Sequence, residues 1–372
     1  MAHLTLRKTV LVLLMGACLT GCMRPADLPP SAPALPSSTP QPSPAASKQA
    51  TLELPPPPAA PQGAIPLIFS HDGAPDDIAT MVYLANHPGI QLLAVIQSYG
   101  EQHPTRSLRA WQVFIYDVLD LDDVPIGIGS VSPLDPAGNQ FPADWRDGAD
   151  AFWGVSLPHA SADHDAFRGV DLIIDRLALA PEPVTILITG AQTDLALALQ
   201  RDPAIKDKIA QVVIMGGAFH VPGNLGEASG NADNDSAEWN IFVDALAAKQ
   251  VFNAGIPITV VSLDGSDNLR ITQTDLDSIA DSSKPGLGVM RELWERSLGW
   301  SGGAFKIWDI VAAVAVTHPQ HFSWEYDALD VIAEAGSTHG QTIALGTGSA
   351  SARYTLAADF AAIRAQIFSI LQ

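Results

Sequence analysis

Three aspartates fall within six residues in the segment Ser70-His71-Asp72-Gly73-Ala74-Pro75-Asp76-Asp77. Carboxylates this close repel one another unless protons or a cation neutralise them, so the segment is a candidate for gripping a hard divalent ion. A second reading stays open: Asp76 and Asp77 would fall in the first turn of a helix, where the macrodipole favours negative charge. Two further polar or glycine-rich segments follow apolar runs, Thr189-Gly190-Ala191-Gln192-Thr193-Asp194 and Met215-Gly216-Gly217. The stretch from Asn231 to Asn240 carries Asp, Asn and Glu238 at a density that superficially fits a calcium loop of the EF-hand type. It lacks the glycine that such a loop needs at its sharp turn, and its Asn and Glu can equally be helix caps. Near the end, Asp309 opens an otherwise apolar helical stretch, where a dipole contact is again the plain alternative.

The elements that would position these residues alternate along the chain. Ile65 to Ser70 is a short apolar run, and Asp76 to Asn86 carries apolar residues at helical spacing. Gln91–Ser98, Val124–Ile128, Val184–Thr189, Gln211–Met215 and Ile256–Leu263 read as strands. Thr105–Leu119, Val170–Leu179, Thr193–Gln200 and Ala237–Phe252 read as helices. Such alternation predicts an α/β fold with a mainly parallel, Rossmann-like central sheet covered by helices on both faces. In open sheets of that kind ligands bind beyond the carboxyl ends of the strands, which is where the acidic and glycine-rich segments fall.

Composition narrows the class. With 40 acidic against 20 basic residues the formal charge is -20, which opposes phosphate-rich partners and argues against nucleic-acid binding. Both cysteines, Cys18 and Cys22, lie near the N-terminus, which excludes disulfides, thiol nucleophiles and thiolate metal sites from the rest of the chain. Arg7 and Lys8 precede an apolar stretch from Thr9 to Leu19, the layout of an export signal rather than of a permanent membrane span. Its ending, Leu19-Thr20-Gly21-Cys22, resembles the lipobox of bacterial lipoproteins, which implies cleavage before Cys22 and lipidation of that cysteine; an ordinary cleaved signal is the alternative. Residues Pro25 to Gln62 are rich in Pro, Ala and Ser and offer too little large apolar surface to offset the entropy of ordering. The expected organisation is a signal peptide over 1–21, a disordered tether over 22–62 and one catalytic domain over 63–372, exported and lipid-anchored to the bacterial envelope.

Taken in order, the motifs resemble those of the inosine-uridine preferring nucleoside hydrolase family. These are the aspartate loop, the Thr-Gly-x-x-Thr turn, Met-Gly-Gly, the segment Ala237-Glu238-Trp239-Asn240-Ile241-Phe242-Val243-Asp244, and the late Asp309. The last-but-one is the most specific, and together they span nearly the whole of the folded region. The resemblance implies a single calcium held by Asp72, Asp77, Asp309 and the backbone carbonyl of Thr193, fixing a water that Asp72 deprotonates as general base. It also implies that Asp76, Glu101, Asn231, Glu238 and Asn240 contact the ribose of a small-molecule ribonucleoside, and that the protein assembles as a homodimer or homotetramer. An all-oxygen ligand set without Cys or His independently suits calcium or magnesium better than zinc. The implied reaction is hydrolysis of the N-glycosidic bond to ribose and free base, serving salvage.

The departures from the pattern bear on chemistry. Ser70 stands where the family has its first aspartate, and Glu101 follows Gly100 where an asparagine is usual. Trp308 occupies the position of a histidine often assigned to leaving-group protonation, so it is either a stacking partner for the base or a packing residue. His103 and the His159 to His164 stretch are candidate replacements. Two rivals follow: a nucleoside- or sugar-binding lipoprotein that has lost turnover, and a hydrolase of another N-riboside.

Overall fold

The computed structural model describes residues 54–58, 61–226, 229–230, 233–348 and 352–372. Cys22, the export signal, most of the tether and Asn231 lie outside the described residues, all of which belong to one compact unit, Thr51–Gln372.

The first half of the unit runs β1 (Ile65–His71), α1 (Pro75–Asn86), β2 (Ile90–Gln97), α2 (Pro104–Gln112), β3 (Ile126–Ile128), α3 (Ala143–Asp150), β4 (Phe167–Arg168) and α4 (Gly169–Leu179). It continues with β5 (Val184–Thr189), α5 (Thr193–Arg201), β6 (Ile209–Met215), α6 (Trp239–Phe242), α7 (Ala245–Phe252) and β7 (Ile258–Val261). These seven strands are parallel and join the strand Ala352–Ala358, also parallel, and the antiparallel edge strand Phe322–Asp327. From that edge the order is Phe322–Asp327, Ala352–Ala358, β7, β6, β5, β1, β2, β3, β4. The chain therefore goes from β1 to β2 on one side and later returns to β5 on the other, making the ends of β1 and β5 a topological switch point.

Period-two alternation divides the sheet between two cores. Leu67, Phe69, Leu187, Val213 and Met215 face one helical layer, and Ile68, Ile186, Ile188, Val212 and Ile214 face the other. On the first face lies the helix Trp308–Thr317, packed against α1 and buried from Asp309 through Val316, as its nearly uniform apolar sequence requires. Leu54 packs on the second core, Pro55 accepts a hydrogen bond from Arg176 at 2.7 Å, and Pro58 accepts one from Gln91 at 2.5 Å. The stretch read as tether thus touches the domain over Leu54–Pro58.

Two helices differ from the sequence reading. The segment Thr105–Leu119 is α2 followed by a wider π-helical turn, Val113–Val118, where Trp111 and Phe114 both meet Phe152 at centroid distances of 5.4 and 5.3 Å. The segment Ala237–Phe252 breaks between Phe242 and Ala245, because the Asp244 carboxylate caps α7 through the Ala247 N–H. The same carboxylate accepts the Leu134 and Asp135 N–H groups and the Thr193 hydroxyl, and these bonds hold its side chain away from a continuous helix.

Candidate active site

The carboxyl ends of β1, β2, β5 and β6 open into a cavity of about 810 Å³, within the usual size of a small-molecule site. Its floor is acidic: Asp72, Asp76, Glu101, Glu238 and Asp309 line it, and Asp77 lies directly beneath. All six carboxyls are buried.

The aspartate loop is built around Asp77. Pro75 begins α1 with a fixed φ, placing Asp76 and Asp77 in the first turn. The Asp77 Oδ2 accepts the N–H groups of Asp72, Gly73 and Ala74 at 3.2, 2.8 and 2.9 Å, so it turns the chain back over the helix end. Gly73 makes that turn with φ of 87°, where a Cβ would also lie 2.7 Å from Gln102 Oε1. The other oxygen of Asp77 accepts the Thr189 hydroxyl. Asp72 receives the Glu101 N–H at 3.1 Å and sits between Gly100 and Gly190, where a Cβ would come within 2.1 and 2.6 Å of its side chain. The two glycines are the space Asp72 occupies.

The remaining acids arrive from distant segments. Asp76 Oδ2 accepts the Asp309 N–H at 3.1 Å, locking the start of Trp308–Thr317 onto the start of α1. Glu238 caps α6, its Oε2 accepting the N–H groups of Gly217, Asn240 and Ile241 at 3.1, 3.0 and 3.3 Å. Asn240 donates to the Met215 carbonyl at 3.2 Å. Both plain readings of the sequence are therefore realised as local structure, capping for Glu238 and a helix N-terminus for Asp76, Asp77 and Asp309. The same groups also meet in space, which neither reading required.

Burial dominates the electrostatics. Desolvation raises Asp76 to about 6 and, with the charge of Asp76 added, raises Asp77 to about 7. Desolvation raises Glu238 to about 7. Asp72, Glu101 and Asp309 are all pushed well up, first by desolvation and then by neighbouring carboxylates. Among the described residues no three Asp, Glu, His or Cys side chains stand ready to enclose a metal ion. The carboxyls instead spend oxygens on backbone N–H groups and on one another. The donor set still fits a hard cation: it is all oxygen, buried, and carries crowded negative charge that no basic side chain of the floor offsets.

Aromatic walls rise above the floor. Phe141 and Trp239 stack at 4.6 Å, Trp145 lies 5.8 Å from Trp239, and Trp153 and Trp300 meet at 5.6 Å. The indole N–H of Trp153 donates to the Gly73 carbonyl at 2.9 Å, joining wall to floor. Phe152 and Trp153 both adopt left-handed φ, 52° and 54°, strain typical of functional sites.

Of the residues singled out by sequence, Asp72, Asp76, Glu101, Glu238, Asn240, Trp308 and Asp309 line this cavity, and Asp77 supports it. Thr193 does not. It starts α5, its hydroxyl is bound to Asp244 at 2.5 Å, and the threonine at the cavity is Thr189, at the end of β5. The first threonine of the turn lies on the strand end, at the cavity, and the second already belongs to the helix. Trp308 both lines the cavity and packs on the core, and its N–H donates to Asp267 at 3.1 Å. No histidine lines the cavity among the described residues: His103 is held by Asp150 at 2.7 Å, His164 stacks on Tyr116 at 4.0 Å, and His159 lies elsewhere. Sequence reasoning missed Asn224, Lys306, Thr189 and the tryptophans 145, 153 and 300. Only the concentration of tryptophan in this acidic chain signalled an aromatic wall.

Residues 67–364 match the inosine-uridine preferring nucleoside hydrolase family. The pyrimidine-specific ribonucleoside hydrolase RihA of Citrobacter koseri is 34% identical over 230 residues, 62% of this chain and 70% of that one. The protein of that name from Klebsiella pneumoniae is 30% identical over 286 residues, 75% and 88% of the two chains. In fold, the chain is similar to the purine-preferring ribonucleoside hydrolase from Gardnerella vaginalis, with TM-score 0.71 and 21% identity over 82% of this chain and 98% of that one. It is likewise similar to the inosine-uridine preferring nucleoside hydrolase from Bacillus anthracis, with TM-score 0.66 and 23% identity over 82% and 99%. With its acidic floor at the switch point of a parallel sheet and these likenesses across most of its length, the chain belongs to the inosine-uridine preferring nucleoside hydrolase family and is an N-glycosyl hydrolase.

Proposed function

We propose that the protein hydrolyses ribonucleosides to ribose and free base at this cavity, using a calcium ion bound among Asp72, Asp77, Asp309 and the backbone carbonyl of Thr189. The observation that carries the reading is the convergence of six buried carboxyls from four distant segments beneath aromatic walls. A hard cation, when bound, offsets that crowded charge and acidifies a water for attack. Asp72, kept clear by Gly100 and Gly190, accepts the proton of the attacking water at its carboxylate. Asp76, Glu101, Glu238 and Asn240 bind the ribose hydroxyls, with Asn231 contributing from outside the described residues. As the base leaves, positive charge develops on the ribose, and these fixed carboxylates stabilise it without reorganising. The tryptophans hold the planar base and exclude water.

The sequence likeness to hydrolases named pyrimidine-specific makes uridine and cytidine the first substrates to try, followed by inosine, adenosine and guanosine. Release of free base is measured with and without a chelator. Base release abolished by chelator and restored by calcium supports the reading. Tight binding without release would point to a binding protein, favoured by Glu101 and Trp308, and turnover only on a non-nucleoside riboside would redirect the substrate. We further propose that the chain is cleaved before Cys22 and anchored by acylation there. Replacement of Cys22 by Ser should move the protein from the membrane fraction to the soluble one.

A further inference from the structure

We propose that Lys306 protonates the departing base, taking the place of an acid that the position of Trp308 cannot supply. The inference rests on the hydrolytic reading above. Among the described residues lining the cavity, Lys306 is the one cationic side chain, set against an acidic floor. The indole N–H of Trp308 is a weak acid and is already committed to Asp267 Oδ1 at 3.1 Å. That same oxygen accepts a hydrogen bond from Lys306 Nζ at 2.5 Å, and the ammonium stands 5.3 Å from the centre of the Trp308 ring. One carboxylate thus fixes both the aromatic surface a base can rest on and the cation beside it.

The chemistry requires such a group. When the C1′–N bond breaks, its electron pair stays on the base nitrogen, while the water oxygen bonds to C1′ and gives its proton to Asp72. Without a proton, the base would leave as an anion into a cavity crowded with carboxylates, which repel it. Lys306 gives one proton from Nζ to the base, which departs neutral. Its side chain is 28% exposed, so solvent returns that proton. Asp144, the other charged residue high on the wall, is a carboxylate and adds to the repulsion. Thr189 has its hydroxyl engaged by Asp77. Asp267 acts as a positioning residue: its Oδ1 accepts from Lys306 Nζ and holds the ammonium at the wall.

The test compares leaving groups. Full-length wild type, Lys306→Met and Asp267→Asn are assayed on the fastest ribonucleoside and on 4-nitrophenyl β-ribofuranoside, whose phenolate leaves as a stabilised anion without a proton. For Lys306→Met, kcat on the nucleoside should fall about 10²–10³-fold, as expected for loss of a general acid. On the nitrophenyl riboside it should change by less than about threefold, because the rest of the transition state is untouched. Asp267→Asn keeps an acceptor for Trp308 and should show the same selective loss in weaker form. Equal losses on both substrates, or an unchanged nucleoside rate, would overturn the assignment. A wild-type chain inactive on both substrates would overturn the hydrolytic reading itself, and this inference with it.

Discussion

Thr189 and Asp77 are joined by a hydrogen bond of 2.5 Å, the hydroxyl at the end of β5 donating to the carboxyl oxygen that the aspartate loop leaves free. The bond ties the end of β5 to the start of α1 across the switch point, so the floor's shape depends on it.

Replacing Thr189 by Val keeps the volume and removes the donor. On the proposed calcium site, in which Asp77 is a ligand, affinity for calcium should fall about 10–100-fold, the usual effect of losing a group that orients a ligand. Orphaning the buried carboxyl oxygen should also cost about 1–3 kcal/mol of stability. Calorimetric titration with calcium and thermal denaturation check both, and Thr189→Ser should restore most of the loss.

Asp72 accepts one backbone hydrogen bond, from Glu101, and caps no helix, so its removal should leave the fold standing. On the proposed roles of Asp72 as general base and ion ligand, Asp72→Ala should lower turnover by about three orders of magnitude or more. Circular dichroism close to wild type together with residual activity above about a tenth would rule out this role.

Gly100→Ala offers a sharper probe, since it alters no chemical group. The added Cβ would lie 2.1 Å from Asp72 Oδ2, so one of the two must move. Displacing a reacting group by about 1 Å commonly costs about 10²-fold in rate, whereas overpacking at one site costs about 1–3 kcal/mol. Kinetics should therefore suffer far more than the thermal midpoint does.

The pH dependence of stability follows from the direction of the shifts. Carboxyls raised to about 6 or 7 bind their proton more tightly in the folded state than in the unfolded chain. Their stabilising contribution is complete below the ordinary carboxylate range and is lost as pH rises through 6 to 7. The metal-free protein should thus melt at a higher temperature at pH 5 than at pH 8. Saturating calcium should reverse the order by binding the ionised floor. Melting curves at both pH values, with chelator or calcium, decide the matter.

Much of this was legible in the residues. Apolar runs closed by Gly, Asp or Thr marked β1, β5 and β6, and ligand placement at their carboxyl ends follows from parallel topology. That Thr189 rather than Thr193 lines the cavity was not legible, because it depends on where the strand stops and the helix starts within one turn. The break at Asp244 was hidden for a related reason: its partners Leu134, Asp135 and Thr193 lie far away in sequence. The walls escaped detection because Trp145, Trp153 and Trp300 belong to no shared period, and only the packing brings them together.

The left-handed pair Phe152 and Trp153 has one more implication. A ring suspended from so restricted a backbone, and pinned to the Gly73 carbonyl, has few other places to go. The upper pocket is then a preformed slot, and little protein entropy is surrendered when a planar guest slides in. Selection among guests would rest on the outline of the planar base rather than on adjustment of the protein.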